Sequence, residues 1–446
     1  MTAVNAVTAP GDDVLLARAY LSRVAEPASV ALWLLVREVG PVEAAARVRA
    51  RQGITEHVRG DTEARAAACD PEADLATAER LGLRLVVPES AEWPHFALMA
   101  LEHSGARRAA TFAGDPLRDA HCGERIPPLA LWAAGPGDLA ELGLRSVGIV
   151  GSRRSTAYGE HVAQSLARGV AERDVTVVSG GAFGIDKFAH LGALEAHGVT
   201  VLVSAGGLDR AYPPSHASLF RRVRESGLLL SESPPGAAPK RQRVLTRNRL
   251  IASLSTGTVV VEAASRSGAL NTLRHSVHIG RPVMAVPGPV GSPLSAGCHE
   301  AIRTPEYDAT LVSSVDEVLE IVGGASDVGG SGDVEDTGGI GGIGGIGGTG
   351  GIGGAGDAGR AGRATGAHRG AAAARAGSGD RVRRVLDALD DRSRAVFDGF
   401  PAGRAVSADE LVLGSGLSAS EVLRSLPVLE LAGLIEQHRD GFRIRR

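Results

Sequence analysis

This sequence predicts an α/β fold: a parallel sheet buried between two layers of helices. Eight short runs rich in Val, Leu and Ile fall between residues 83 and 322: RLVVP, LALWAAG, SVGIVG, VTVVSGG, VTVLVSAGG, GLLLSES, TVVVEAA and PVMAVPG. From Ser146 onward, helical stretches separate most of them. The runs are almost continuously apolar, as strands covered on both faces are. Right-handed crossovers then bring the carboxyl ends of the strands to one edge, where such sheets bind ligands.

The 446 residues suffice for about three domains, and composition divides the chain into four parts. Residues 1–82 read as small helices. PASVALWLLVREVG and PVEAAARVRARQ have helical apolar spacing and are split by Gly40-Pro41, a helix stop followed by a helix start. Helix, glycine turn, helix is the pattern of small helical nucleic-acid modules and equally of any helical hairpin. Residues 83–322 carry the strands. Residues 323–380 include GGIGGIGGIGGTGGIGGAGDAG, which lacks the side chains for a core and predicts a flexible linker. Its isoleucines recur regularly, but the proline of a collagen repeat is missing.

Residues 381–446 are compact again. RVRRVLDALD reads as one helix, SADELVLGSGLSASEVLRSLPVLELAG as helix, glycine turn and helix, and LIEQHRDGFRIRR as a hairpin closed on Asp440-Gly441. Three helices and a hairpin make a winged helix. The second helix of its pair, Ser418 to Leu431, exposes little beyond Arg424 and is interrupted by Pro427. Contact with duplex DNA and contact with protein therefore both stay open for this module.

Composition narrows the function. Hydrophobic residues make up 43% of the chain and aromatics 3%, so the cores are built from Ala, Val and Leu. A formal net charge of −3 means that any nucleic-acid surface is a local patch. Cys69, Cys122 and Cys298 show neither metal spacing nor a disulfide framework, which fits a reducing compartment. The start, MTAVNAVTAPGDD, has no signal-peptide pattern, and no apolar run approaches the ~20 residues of a membrane span. A cytoplasmic protein with no membrane segment is expected.

The strand ends carry the candidate site. GSRRS follows Val150, SGGAFGID follows Val178, SAGGLDRAYP follows Val203, SESPPGAAPKRQRVLTRNR follows Leu230, EAASRSGALNT follows Val261 and PGPVGSPLSAG follows Val286. Gly and Ser let backbone N–H groups face outward, and helix N-termini add partial positive charge, so these loops suit anionic oxygens. Gly180, Gly181 and Gly184 precede a helix expected near Ile185, and Ser267 and Gly268 precede one carrying Asn271 and Thr272. One such glycine marks only a tight turn; a row of them along one edge reads as a row of phosphate seats.

A dinucleotide site would place more glycines after Val150; here Arg153 and Arg154 follow Gly151 and Ser152. Further on, Lys240, Arg241, Arg243, Arg247 and Arg249 fall within ten residues with no acid among them, between a strand end and a helix. Guanidinium forks suit phosphates and stack on bases, and Asn248 between two arginines suits a base edge. These residues fit a polynucleotide, bound through phosphates more than through the few aromatics nearby (Tyr158, Phe183, Phe188, Tyr212 and Phe220). Binding is then expected to fall steeply with salt. Replacing Arg153 together with Arg247 is expected to cost ~1–3 kcal/mol for each.

Asp186 and His190 lie four apart on one helix face, and Asp209, Glu232 and Glu262 lie near strand ends. A hydrolase uses such groups. The plainer account has Asp186 capping its helix, His190 packed against the sheet, and the glutamates holding arginines or loop amides. No nucleophile–base pair or metal set emerges, so no catalytic residue, metal or cofactor is expected.

The blocks GIVGSRRSTAYGE, SGGAFGIDKFAH, RNRLIASLS, VVVEAASRSGALNT and GRPVMAVPGPVGSPLSAG, in this order, resemble the signature of the DNA-processing protein family DprA, also called Smf. The match runs roughly from Arg84 to Val312. The resemblance implies an extended Rossmann-like domain that binds single-stranded DNA without established catalysis and forms a homodimer. It also implies loading of the RecA recombinase and a role in natural transformation or related recombination. The N-terminal helices resemble the family's SAM-like domain, and the C-terminal module its winged-helix domain. By position, the family's phosphate-binding Gly-Ser-Arg falls on Gly151, Ser152 and Arg153, its glycine turn on Gly180, Gly181 and Gly184, and its Arg-Asn-Arg on Arg247, Asn248 and Arg249.

Three residues depart from the pattern. Phe183 stands where many members have a basic residue, Val244 replaces a common phenylalanine, and His299 replaces a common asparagine. The first loses a charge and the second a stacking ring, which implies weaker affinity. The long glycine linker would decouple the winged helix from the body. Two other functions compete. A phosphoribohydrolase of the lysine-decarboxylase-like type uses a Pro-Gly-Gly-x-Gly-Thr turn, of which STGTVVVEA keeps Gly257, Thr258 and a following Glu262. A transcription regulator would act through the winged helix, whose wing ends in Arg443, Arg445 and Arg446.

Overall fold

The computed structural model describes residues 10–111, 125–323, 391–400 and 406–415, and scattered positions from 417 to 444. The glycine-rich segment after residue 323 and the helix expected over 381–390 lie outside the described residues. The chain forms two compact units, Met1–Glu335 and Asp336–Arg446.

Five helices open the first unit: α1 (Asp12–Val24), α2 (Val30–Val39), α3 (Pro41–Ala50), α4 (Glu56–Ala66) and α5 (Pro71–Arg80). The Gly40-Pro41 punctuation works as the sequence suggests. Ser29 caps α2 by accepting from the Leu32 amide, Gly40 ends it at φ 80°, and Pro41 starts α3 at its first position. Tyr20, Leu21, Leu32, Ala44, Val48 and Val58 bury the apolar faces against each other.

Next come β1 (Arg84–Val86), α6 (His95–Thr111), β2 (Leu131–Ala134), α7 (Leu139–Leu142), β3 (Ser146–Val150), α8 (Ala157–Ala171), β4 (Thr176–Ser179), α9 (Ile185–Glu195) and β5 (Thr200–Ser204). They are followed by α10 (Ala217–Ser226), β6 (Leu228–Ser231), α11 (Arg241–Ser253), β7 (Gly257–Val260), α12 (Gly268–His278), β8 (Val283–Ala285), α13 (Ala296–Arg303), β9 (Thr310–Leu311) and α14 (Val315–Val322). All eight apolar runs are strands. They join one sheet in the order β1-β2-β6-β5-β4-β3-β7-β8-β9.

Two details differ from the sequence reading. β2 runs antiparallel to β6, so its carboxyl end points to the edge opposite that of the parallel strands. An apolar run carries no mark of direction, and nothing in LALWAAG tells the two pairings apart. β9 is two exposed residues, Thr310 and Leu311, too short a run for the sequence to mark as a strand.

Alternate strand residues serve opposite faces. Val147, Ile149, Val177 and Val259 pack toward α8 and α9, whereas Val150, Val178 and Val260 pack toward α11 and α12. Each fully buried Val or Leu contributes about 1.5–3 kcal/mol relative to exposure. From β3 the chain winds outward through β4, β5 and β6, then returns to lay β7 on the other side of β3. The carboxyl ends of β3 and β7 flank this reversal, where open α/β sheets form a crevice.

The second unit contains α15 (Asp391–Asp398), α16 (Ala408–Ser415) and an antiparallel hairpin of β10 (Ile435–His438) and β11 (Gly441–Ile444). Ser407 and Glu410 cap α16 reciprocally, at 2.8 and 3.2 Å. Val422, Leu426 and Leu429 share its core with Val396, Phe400 and Leu411. The hairpin closes one residue earlier than the sequence suggests, because His438 pairs with Gly441 and makes that glycine the first strand residue. Val406 bridges to Phe442, a pairing with no signal in the sequence. Arg424, Pro427, Arg445 and Arg446 lie outside the described residues.

Candidate nucleic-acid interface

The turn after β3 is fixed by its neighbours. The Ser152 amide donates to the Glu262 carbonyl at 2.6 Å, the Ser152 carbonyl accepts from the Ile185 amide at 3.2 Å, and the Ser152 hydroxyl accepts from the Arg154 amide at 3.1 Å. Gly151 and Gly184 make room for this. A Cβ on Gly184 would overlap the Ser152 carbonyl, and its φ of +73° already favours glycine. Pinned on both sides, Ser152 is buried, and Arg153 and Arg154 stand out into solvent.

They reach a cleft of about 940 Å³ at the carboxyl ends of β3 and β7. Its walls are the turn after β3, the first turns of α11, and the loop and first turns of α12. Seven cations line it (Arg153, Arg154, Lys240, Arg241, Arg247, Arg266 and Arg274) against one carboxylate, Asp186. Arg153, Arg154, Arg241 and Arg266 are exposed and form no ion pair among the described residues. Arg274 is exposed too, with its guanidinium 3.4 Å from the Tyr307 hydroxyl. Sequence reasoning missed Arg266 and Arg274. Arg266 stands in the quoted stretch SRSG, and Arg274 follows Asn271 by three on α12, a spacing that shares one helix face.

The phosphate seats are fewer than the glycines suggested. Gly180 and Gly181 are buried, and none of Gly180, Gly181 and Gly184 lines the cleft. The amide that opens α9, on Ile185, is taken by Ser152. Gly180 instead lies against the Arg247 guanidinium, where a Cβ would not fit. The start of α12 does face the cleft, through Ser267, an exposed Gly268 and Ala269. Asn271 accepts from the Asn248 side chain at 3.0 Å on the adjoining wall.

The basic run from Lys240 to Arg249 does not act as one surface, because Arg241 onward is helix α11 itself and not a loop before a helix. Residues two apart on a helix point about 200° apart. Arg249 is wholly buried on the far side and gives two hydrogen bonds to Glu232, at 2.9 and 2.8 Å. Arg243 is turned to Glu26, at 2.6 and 3.1 Å, and Lys240 reaches the same carboxylate at 3.3 Å. Arg247 is buried beneath the cleft, donating to the carbonyls of Gly180 and Val203 and thereby tying the ends of β4 and β5. Its removal would therefore act on the sheet as well as on the cleft. Burial pulls its pKa down to about 10 against the pull of Asp186. Of the five, Arg241 alone is both exposed to the cleft and without an ion pair among the described residues.

The acidic residues mostly take the plainer roles. Glu262 accepts from the Thr156 amide at 2.9 Å and its hydroxyl at 2.6 Å, Glu232 holds Arg249, and Asp209 accepts from the Gly236 amide at 2.7 Å. His190 sits against the sheet with Nδ1 at 2.7 Å from the Thr200 hydroxyl, and burial pushes it down to about 3, so it is neutral. Asp186 does not cap α9, whose cap is Gly184. It lies in the first helical turn and accepts from the Ala182 amide at 3.3 Å, with burial raising its pKa. Gly257 and Thr258 belong to strand β7, not to a turn.

Of the aromatics, Phe220 is buried, and Tyr158 gives its hydroxyl to the Pro287 carbonyl at 2.6 Å. Tyr212 is exposed on the cleft wall, and Phe183 is exposed beside His216, outside it. Val244 lines the cleft, and His299 is within 3.0 Å of the Gly288 carbonyl. No group of metal-ligating side chains occurs among the described residues, and none of their helices is long and apolar enough to cross a membrane.

Comparison with known proteins finds relatives of the whole chain. The sequence profile of DNA recombination-mediator protein A matches residues 117–323, and that of the DprA winged helix domain matches residues 371–441. The putative DNA processing protein DprA of Mycobacterium tuberculosis is 42% identical over 435 residues, which cover 98% of this chain and 95% of that protein. The DNA processing protein DprA of Bacillus subtilis is 36% identical over 44% of this chain and 64% of its own length. The X-ray structure of DNA processing protein A from Streptococcus pneumoniae superposes with a TM-score of 0.53 at 26% identity, covering 70% of this chain and 98% of that one.

Proposed function

The chain belongs to the DNA recombination-mediator protein A family, and on that premise we propose that it is a DNA-processing protein that binds single-stranded DNA in the cleft at the ends of β3 and β7. The observation that carries this reading is the charge of the cleft: seven cations against one carboxylate, with Arg153, Arg154, Arg241 and Arg266 exposed and unpaired among the described residues. These four take phosphates, and the α12 N-terminus at Ser267 and Gly268 takes another phosphate oxygen. Asn248 and Asn271 offer amide groups to base edges, and Tyr212 offers a ring for stacking. Arg247 sets the floor of the site. The protein binds its strand without chemistry on it, in the cytoplasm.

Loading of the RecA recombinase, a homodimer formed through the sheet domain and service in natural transformation belong to the same proposal, and the family resemblance supports them. Binding of oligonucleotides over a salt series tests the core of it. Single strands are expected to bind more tightly than duplexes. The double variant Arg153→Ala/Arg266→Ala is expected to lose at least about thirtyfold in affinity, from ~1–3 kcal/mol per arginine. Normal single-strand binding by that variant would remove the cleft from the function. Light scattering of the purified chain tests the dimer, and strand-exchange kinetics with RecA test the loading.

A further inference from the structure

Lys240 lies on the rim of the cleft and also on the wall of a second hollow, of about 190 Å³, where the N-terminal helices meet the start of α11. Arg23, Arg65 and Arg243 share that wall. Their counter-ions are few. Glu26 serves Arg243 at 2.6 Å, Arg65 at 2.5 Å and Lys240 at 3.3 Å, and Asp74 serves Arg23. Among the described residues, four cations thus face two carboxylates.

The guanidinium groups are held in place by more than Glu26. Arg243 also donates to the Ala238 carbonyl at 2.9 Å, Arg65 to the Arg23 carbonyl at 3.2 Å, and Arg23 to the Pro235 carbonyl at 2.7 Å. The cage is therefore preformed, with one carboxylate shared among three cations. A phosphodiester carries the same single charge and suits the same forked donors. The hollow shares Lys240 with the cleft, and that side chain is 60% exposed.

We propose that this seam is a second phosphate site for the same strand: Glu26 occupies the cage of Arg65, Lys240 and Arg243 in the unbound protein, and a backbone phosphate leaving the cleft over Lys240 displaces it. The N-terminal helices then take part in binding, and their contact with α11 changes when a strand is long enough to reach them. This rests on the reading of the cleft as the single-strand site.

Fluorescence anisotropy with the full chain tests it, using oligothymidylates of about 6 and about 20 nucleotides, the first near the lower end of common single-strand site sizes and the second beyond the upper end. Glu26→Gln is expected to bind the longer strand about fivefold more tightly. Arg65→Gln is expected to bind it about fivefold more weakly, with the slope of log affinity against log salt shallower by about 0.7. Both variants are expected to bind the short strand as the unmodified chain does, which also shows that the cleft is folded. If both bind the long strand unchanged while Arg153→Ala/Arg266→Ala loses both lengths, the seam is not a site and the cleft reading stands. Equal losses on both lengths in Arg65→Gln reduce the seam to a structural contact and overturn the proposal. If Arg153→Ala/Arg266→Ala keeps short-strand binding, the cleft reading itself fails.

Discussion

Arg249 gives two hydrogen bonds to Glu232 from a side chain with no exposed surface, whereas Arg153 stands in solvent on a turn that its neighbours hold rigid. The same guanidinium therefore has two different consequences. Arg249→Ala strands the mostly covered Glu232 carboxylate and is expected to cost about 3 kcal/mol of stability, read from chemical denaturation. Arg153→Ala removes no ion pair, so its thermal midpoint is expected to stay unchanged while single-strand affinity falls. Two buried histidines add a pH dependence. Burial holds His190 and His275 at about 3, below the ordinary 6.5 of an unfolded chain. The unfolded chain thus binds more protons between these values, and the stability from keeping both rings neutral is full above pH 6.5 and shrinks as pH falls toward 3. Asp186, raised by burial, works in the opposite sense. Denaturation midpoints between about pH 4 and pH 7 are expected to fall with acid, and His190→Gln is expected to flatten that slope by about one proton.

At the scale of elements, α11 and the β3 turn divide the work. Helical geometry sends Arg241 and Asn248 to the cleft, Arg243 to the N-terminal helices and Arg249 into the core. The β3 turn depends on α9, because Gly184 must lie against the Ser152 carbonyl at positive φ. Gly184→Ala is expected to cost at least about 1–3 kcal/mol, the scale of forced backbone strain. It is also expected to weaken single-strand binding, because the turn that presents Arg153 has to move; denaturation and anisotropy on the same sample check both. A local change at one glycine thus reaches the site through packing, without touching a ligand. How much of the fold is legible in the sequence varies by element. The eight strands and the Gly40-Pro41 break follow from local patterns, and so they can be read. β9 and the Val406 bridge have no local pattern and form through tertiary pairing.

At the scale of the whole molecule, charge is concentrated and not general. A chain of net charge −3 keeps Arg153, Arg154, Arg241 and Arg266 exposed in one cleft. Each phosphate contact contributes about −0.7 to the slope of log affinity against log salt for a single strand, so these four predict roughly −3. A slope near zero, measured by anisotropy over a salt series, would contradict phosphate-led binding. The two compact units divide near residue 335, and every cleft residue lies in the first, so this slope belongs to the sheet domain.

By itself, the sequence determined the strands, the helical N-terminal part, the hairpin, and the turn at Gly151, Ser152 and Arg153, because each is written in apolar period, turn residues and caps over a few positions. It also supplied the cations. Only the tertiary structure decided which of them meet solvent. Lys240, Arg243, Arg247 and Arg249 look alike in a basic run, yet their partners, Glu26, the Gly180 and Val203 carbonyls and Glu232, come from distant segments. Whether a charge is free or neutralised depends on what lies within a few ångströms of it, and that is set by how the chain packs.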